Sequence, residues 1–472
     1  MASKLRAVLS KASEKTTPSA SKRRQVLALA ERLKKRVEQA AHKAGIDIEV
    51  RLEGSVAKNT WLRESPDIDI FMRVPASTPR ESFGTTYLDI AKEATKDAKQ
   101  MERFAEHPYL EAIVNKTRVN IVPCYRVENG EWKSATDRTP FHTDYIKPLL
   151  DERLCREIRL LKRFMKGTNV YGAEIKVGGL SGYLCELLVL FYGSFQKVLK
   201  ASADWNPRTF IDPEGCFEGR EKELRLIFEE PLVIVDPVDK GRNAASAVRS
   251  ERLEEFIAAS RAFLNKPDLE YFYPSETKPF TLQTLLRAMK IRGTSLIFTQ
   301  LGEIGTVPDV LWGQLYRSQR SLAKLLEGYD FKVVQDAAWS DEKTLNLFLM
   351  EVEQRFLPPI KKHLGPPLEK KAECEKFLKK HVVSASTLSG PRLEEGRWIV
   401  GVERKHTDAA ALLRDKLKDG GRNAGVAELV SKALTRGFRV VVNEEILPTY
   451  TRSREFRKFL TEYMKGKPKW LA

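Results

Sequence analysis

Asp67 and Asp69 stand one residue apart in GSVAKNTWLRESPDIDIFM, residues 54–72, inside an apolar run. Side chains of a strand alternate between faces with period two. The spacing therefore predicts both carboxylates on one face and Ile68, Ile70 and Met72 on the other. Two like charges side by side repel unless they face water or a cation. Mg2+ suits such a pair, because it takes a few carboxylates together with the phosphate oxygens of a substrate. A D-x-D alone is a weak sign, since edge strands often carry it. Gly54-Ser55, twelve positions ahead of Asp67, strengthens it. A Gly-Ser turn that opens a helical segment presents backbone N–H groups and a hydroxyl to phosphate. A phosphate cradle opposite paired carboxylates reads as nucleotidyl transfer, in which two metal ions about 3.5–4 Å apart clamp the attacking and leaving oxygens.

The elements that must position these groups show in the flanking pattern. Val26, Leu29, Leu33, Val37 and Ala40 recur at three- and four-residue steps, predicting an amphipathic helix over 21–44 that stops at Gly45. Ile46, Ile48, Val50 and Leu52 alternate toward Gly54 and predict a strand. The DIDIFM strand, a helix at roughly 85–103 and a strand at about 114–125 complete one α/β unit. Residues 151–200 switch to helical period. There Leu154, Ile158, Leu161 and Met165 form an apolar stripe, and Arg156, Arg159, Arg163 and Lys166 a basic one. A basic stripe is usually a solvated face; this one also suits a run of phosphates, and both readings stand. PLVIVDPVD at 231–239 is strand-like, and DLEYFYPSETKPF reads as a boundary. Beyond it helices mix with short strands such as TSLIFTQ, RWIVGVE and FRVVVNEE.

At 472 residues the length suggests about three domains. The 81 basic against 64 acidic residues leave +17, which favours a polyanionic partner, nucleic acid or an anionic membrane surface, over mere solubility. Five scattered cysteines without a C-x-x-C pair argue against a disulfide framework or zinc cluster and for a reducing cytosol. No apolar stretch approaches the ~20 residues of a membrane span, and MASKLRAVLSKASEK has no signal-peptide core. A cytoplasmic protein that makes no use of a membrane is expected.

These segments resemble the polymerase β-like nucleotidyltransferase superfamily, whose signature is Gly-Ser, a spacer, then Asp-x-Asp or Glu. More narrowly, the chain resembles the archaeal-type (class I) CCA-adding enzymes, which are tRNA nucleotidyltransferases. That likeness rests on GSVAKNTW, AEHPYL, IVPCYRV, SATDRTPFH, RLLKRFMKGTNVYGAE, GGLSGYLCELLVLFYGSF, VDPVDKGRNAA and GRWIVGVERKHT, which run in order over residues 54–406. It implies an α+β multidomain fold: a polymerase β-like nucleotidyltransferase head over 1–147, a helical, substrate-binding neck over 148–265, and an α+β body and tail over 266–472 that bind tRNA. It also implies template-independent addition of C, C and A to the tRNA 3′ end from CTP and ATP, with Mg2+.

Carried over position by position, the resemblance gives Ser55 and Lys58 to the incoming triphosphate and Asp67 and Asp69 to the metal. His142, Lys162 and Tyr171 match further nucleotide contacts. Arg242 matches the arginine that, with tRNA phosphates, reads the incoming base; a guanidinium fork suits a base edge. Alone, each has a blander meaning: a lone histidine is more often a satisfied structural residue, and Lys162 is one of 81 basic side chains. The basic stripe Arg156, Arg159, Arg163 and Lys166 is expected near tRNA phosphate. RGFRVVV, at 436–442, resembles an RNA-recognition octamer but lacks the second aromatic set needed for base stacking, and reads as a plain strand.

One position departs from the family pattern. Just before IVPC the family has an aspartate, the third catalytic carboxylate, holding the metal nearest the primer 3′ hydroxyl; this chain has Asn120. An amide is nearly isosteric but neutral, with one acceptor oxygen, so a hard cation should bind less well there. No acid nearby in the sequence substitutes, because Arg118, two residues back, has the wrong sign. The expectation is binding of tRNA and nucleotide with little turnover, raised by Asn120→Asp. A poly(A)-type polymerase and a non-catalytic tRNA-binding paralogue are the alternative readings.

Overall fold

The amphipathic period near the N-terminus becomes a helix whose start is fixed by a single hydroxyl. In the computed structural model, which describes residues 2–104, 106–207 and 209–471, helix α1 (Ala2–Thr16) precedes α2 (Ala20–Lys43). Ser19 Oγ accepts from the Lys22 amide and caps α2. Val26, Leu29, Ala30, Leu33, Val37 and Ala41 are buried along it, each larger side chain contributing about 1.5–3 kcal/mol. The residues gather into two units, Met1–Glu276 with Pro468–Ala472, and Thr277–Lys467.

The first unit continues with β1 (Glu49–Glu53), the single turn α3 (Gly54–Ala57), β2 (Asp67–Pro75), α4 (Thr86–Ala94), β3 (Lys99–Phe104), β4 (Pro108–Val114), β5 (Thr117–Arg126) and α5 (Arg138–Ile146). The strands form one mixed sheet in the order β1-β2-β5-β4-β3, with β2 and β5 parallel and the other neighbours antiparallel. Ile68, Ile70, Met72, Leu110, Val119 and Ile121 line one face with no exposed surface and share a core with α2 and α4. The helix expected over 85–103 ends at Ala94, and KQMERF forms the edge strand β3. Its residues favour helix mildly, but pairing with β4 decides the outcome. β4 itself returns to β5 through Asn115 and Lys116, both at positive φ, as a tight hairpin turn requires.

Next come α6 (Glu152–Gly167), α7 (Gly182–Tyr192), α8 (Phe195–Ala203), β6 (Thr209–Ile211), α9 (Glu221–Ile227), β7 (Leu232–Asp236), β8 (Asp239–Asn243) and α10 (Ser250–Asn265). Their core is aromatic-rich, with Phe164, Phe195, Phe256, Phe263 and Phe272 fully buried, and α1 packs onto it through Leu5, Val8, Leu9 and Ala12.

The second unit holds an antiparallel sheet of Val333–Ser340, Asn346–Val352, Ser295–Leu301 and Phe438–Val442 in spatial order. A smaller sheet has Arg397–Glu403 between Ile360–Pro367 and Thr387–Glu394. In the RGFRVVV segment Val440 and Val442 are buried in the core of this unit. Among the described residues no helix is long and apolar enough to cross a membrane.

Candidate active site

Strand register assembles the site. Parallel pairing of β2 with β5 sets Asp67 beside Arg118 and Asp69 beside Asn120. Antiparallel pairing sets Glu53 beside Asp69, and Glu111 beside Asn120. Residues directly opposite share a face, so a row Glu53–Asp69–Asn120–Glu111 crosses four strands. Asp67 lies on the same face as Asp69, opposite the fully buried Ile68 and Ile70, and keeps 39% of its side chain exposed.

Gly54 brings the turn after β1 against this row. Its φ is +67°, and a Cβ there would sit 2.1 Å from Asp69 Oδ2. Only glycine permits both the backbone conformation and the approach. Asn120 Nδ2 donates to Asp69 Oδ1 at 2.9 Å, and Arg118 Nε pairs with Asp67 Oδ1 at 3.1 Å. Burial pushes the Asp69 carboxyl up to about 6 against the Asn120 hydrogen bond, and the Asp67 charge adds to the rise. Burial raises Asp67 as well, opposed by Arg118 and Lys166. Both carboxylates thus ionise at a cost that a cation removes. Two carboxylates, an amide oxygen and a space that a side chain at Gly54 would fill are a fitting donor set for a divalent cation. Among the described residues no three His, Cys, Asp or Glu side chains group so as to hold a metal. Beside Asp69 and Asn120 lies a cavity of about 260 Å³ lined by Phe71, His107, Tyr109 and Val122.

Lys58 and Lys162 come together, but in the interior. They are 7% and 2% exposed, and both ammoniums close on Glu186, at 2.6 and 3.0 Å. Thr60 Oγ1 donates to Glu186 Oε1 at 2.5 Å and accepts from Lys162 at 3.0 Å. Burial works against the Glu186 charge, yet Lys162 and Lys58 hold its carboxyl down to about 2. Lys58 and Thr60 come from the segment after α3, whereas Lys162 and Glu186 come from α6 and α7. Nothing local marks Glu186, a single acid in an apolar helix. Ser55 is partly exposed in α3, and its carbonyl accepts from the Thr60 amide at 2.9 Å.

A second hub, equally unmarked by its neighbours, is Asp236 at the end of β7, with no exposed surface. It accepts from His142 Nε2 at 3.0 Å, the Tyr183 hydroxyl at 3.0 Å, an Arg242 terminal nitrogen at 2.6 Å and the Val238 amide at 3.1 Å. Burial opposes its charge, but the His142 hydrogen bond, His142 and Arg242 hold it down to about 2. His142 stacks on Tyr183 with centroids 4.0 Å apart, and burial keeps its pKa below the ordinary value despite Asp236. The structure therefore joins His142 and Arg242 through one carboxylate. Tyr171 lies beside Gly182 and carries the Lys166 ammonium over its ring at 5.3 Å; burial raises its hydroxyl well above the usual range.

The basic residues of α6 do not form one open stripe. Arg156 is exposed. Arg159 is fully buried and donates to the Trp61 and Asn59 carbonyls. Arg163 donates to the Phe272 carbonyl at 2.7 Å, pairs with Glu64 at 2.9 Å and lies over the Tyr273 ring. Lys166 donates to Ser65 at 3.1 Å. The segment 59–65 packs along this side of the helix, so the face expected to meet solvent or phosphate is mostly an internal seam.

A mixed sheet that sets paired aspartates against a Gly-Ser turn defines the class, a nucleotidyltransferase. The family model of that domain matches residues 30–142, that of the tRNA nucleotidyltransferase second domain 156–273, and that of the CCA-adding enzyme C-terminal domain 292–443. The chain is 36% identical over 454 residues to the CCA-adding enzyme of Methanosarcina mazei, covering 96% of each chain. It is 35% identical to that of Methanothermobacter thermautotrophicus, covering 95% of each, and 38% identical to that of Pyrobaculum neutrophilum, covering 89% of this chain and 95% of that one. The chain belongs to the CCA-adding enzyme family. A solved structure of the Cid1 poly(U) polymerase is similar over 55% of this chain and 94% of that one, at 16% identity and a TM-score of 0.43.

Proposed function

We propose that this protein adds C, C and A stepwise to the 3′ end of tRNA from CTP and ATP, without a nucleic-acid template. The observation that supports the chemistry best is Asp69, held between Gly54 and Asn120 on one face with Asp67. Asp67, Asp69 and the Asn120 carbonyl oxygen would hold Mg2+, which when bound neutralises phosphate charge and assists in-line displacement at phosphorus. The rest falls to the chain itself. The turn at Gly54-Ser55 offers N–H groups to the triphosphate. Beneath it, two lysines against one glutamate leave one net positive charge for the phosphates. His142 and Arg242, braced by Asp236, and Tyr171 meet the sugar and base. The Arg242 side chain is 34% exposed, so the fork still faces outward while one nitrogen is anchored. The head (1–147) and neck (148–265) carry this chemistry, and the body and tail (266–472) grip tRNA through phosphate contacts and A-form shape, in keeping with the +17 balance. All five cysteines are free thiols, which suits a reducing cytoplasm.

The test is incubation with tRNA lacking its 3′ CCA, labelled CTP or ATP, and Mg2+. Incorporation of C and then A is expected, with Asn120→Asp raising the rate about a hundredfold, the scale typical of a restored metal-site partner. Asn120 itself favours a second reading, a non-catalytic tRNA-binding paralogue. Tight tRNA binding with no incorporation by either form would establish that reading instead, and incorporation of A alone a poly(A)-type polymerase.

A further inference from the structure

The row across the sheet holds an acid that distance in sequence conceals. Glu111 lies nine residues before Asn120, but the hairpin turn at 115–116 folds β4 back so that the two stand directly opposite. Leu110 and Ala112 are wholly buried in the other direction. The same rule that puts them in the core puts Glu111 on the face of Asp67, Asp69 and Asn120. Tyr109, two residues earlier, packs on that face with Phe71 and Val122. We propose that Glu111 supplies the carboxylate that Asn120 lacks, so that a second divalent cation is held by Asp69, the Asn120 carbonyl oxygen and Glu111. This inference rests on the nucleotidyl-transfer reading of the site.

Three observations support it. First, the Asn120 amide nitrogen is committed to Asp69, which leaves its only acceptor, the carbonyl oxygen, for a cation. Second, Arg118 already acts as a cation across the site. Its Nε pairs with Asp67 at 3.1 Å, and a terminal nitrogen lies 4.0 Å from Glu111 Oε2. At 52% exposure it is free to swing aside when a metal and a triphosphate arrive. Third, Glu111 is only 11% exposed and is paired with Arg103 at 3.1 Å. That pairing shows a carboxylate on this face already holding a cation in a largely dry setting. Opposite residues in antiparallel strands have Cβ atoms about 5 Å apart, and a glutamate side chain spans that gap. Glu53, at the other end of the row, is a weaker candidate. It has no exposed surface, is paired with Arg51 at 2.9 Å, and burial lifts its carboxyl to about 7.

The experiment compares the full-length chain as written with Glu111→Gln, Glu111→Asp, Asn120→Asp, and Glu111→Gln with Asn120→Asp together. Mn2+ binding is measured by electron paramagnetic resonance with a non-hydrolysable CTP analogue present, and CCA incorporation across a Mg2+ titration. In the chain as written, Glu111→Gln should weaken the second Mn2+ at least tenfold and lower incorporation by at least as much. Glu111→Asp should keep part of both, which separates charge from packing. With Asn120→Asp in place, Glu111→Gln should cost less than threefold. If Glu111→Gln leaves Mn2+ binding unchanged while Asn120→Asp raises incorporation, the role of Glu111 is overturned and the proposed function survives. If no variant incorporates nucleotide, the proposed function fails, and the Mn2+ titration alone decides on Glu111.

Discussion

Replacing Glu186 by glutamine removes the one negative charge that Lys58 and Lys162 share, while keeping its shape and an acceptor for Thr60. The Glu186 carboxyl is held at about 2, against 4.5 for an ordinary glutamate. At about 1.4 kcal/mol per pKa unit, this corresponds to about 3 kcal/mol of stability at neutral pH. An independent route gives the same size, because removing one partner of a buried ion pair costs about 3–5 kcal/mol. The sign follows from the depressed pKa: the contribution is complete above about 4.5 and is lost as pH falls toward about 2. Urea unfolding at pH 7 should therefore show Glu186→Gln destabilised by about 3 kcal/mol, or roughly 6–12 °C in melting temperature for a unit of this size. CTP should then stabilise the variant more than the parent, since the triphosphate replaces the missing anion. A loss below about 1 kcal/mol, or one that persists unchanged at pH 3, would refute the clasp.

Gly54→Ala should cost about 1–2 kcal/mol through its positive φ. Its Cβ must also displace the Asp69 carboxylate, so CCA incorporation should fall about a hundredfold while the protein still melts cooperatively; near-parent activity would dismiss the close approach. Asp236→Asn should loosen His142 and Arg242 together, raising UTP misincorporation in place of CTP about tenfold, a bidentate contact being worth about 1–3 kcal/mol of discrimination; unchanged selectivity would make Asp236 purely structural. Asp69 has its pKa lifted to about 6, and only its ionised form binds a cation, so Mn2+ affinity should decline as pH drops below that value. Constant affinity between pH 5 and 7 would remove Asp69 from the donor set.

What the sequence discloses here is what depends on neighbours along the chain. The period of Val26, Leu29, Leu33 and Val37 survives as the buried face of α2, and the alternation around Asp67 survives as the two faces of β2. KQMERF does not disclose itself, because an exposed edge strand with mixed residues has no period to show. The acid at 111 stays hidden for a related reason: its relation to Asn120 exists only once the hairpin forms. Glu186 meets Thr60 across 126 residues, and Asp236 meets His142 across 94. A buried carboxylate looks like any other acid until the cations that neutralise it are known.

The unbalanced charges near the site follow the polarity of a metal–triphosphate complex. On the sheet face, Asp67, Asp69 and Glu111 outnumber Arg118 and Arg103, leaving an excess of one negative charge. Behind the Gly-Ser turn the balance reverses, with two lysines on one glutamate. A free nucleotide brings only negative charge and a free cation only positive, so neither answers both regions. A triphosphate bound to divalent cations does. The arrangement favours the two arriving together, and it makes the carboxylate count on the sheet decisive. With an amide at position 120 that count falls by one, and Glu111 is the acid placed to restore it.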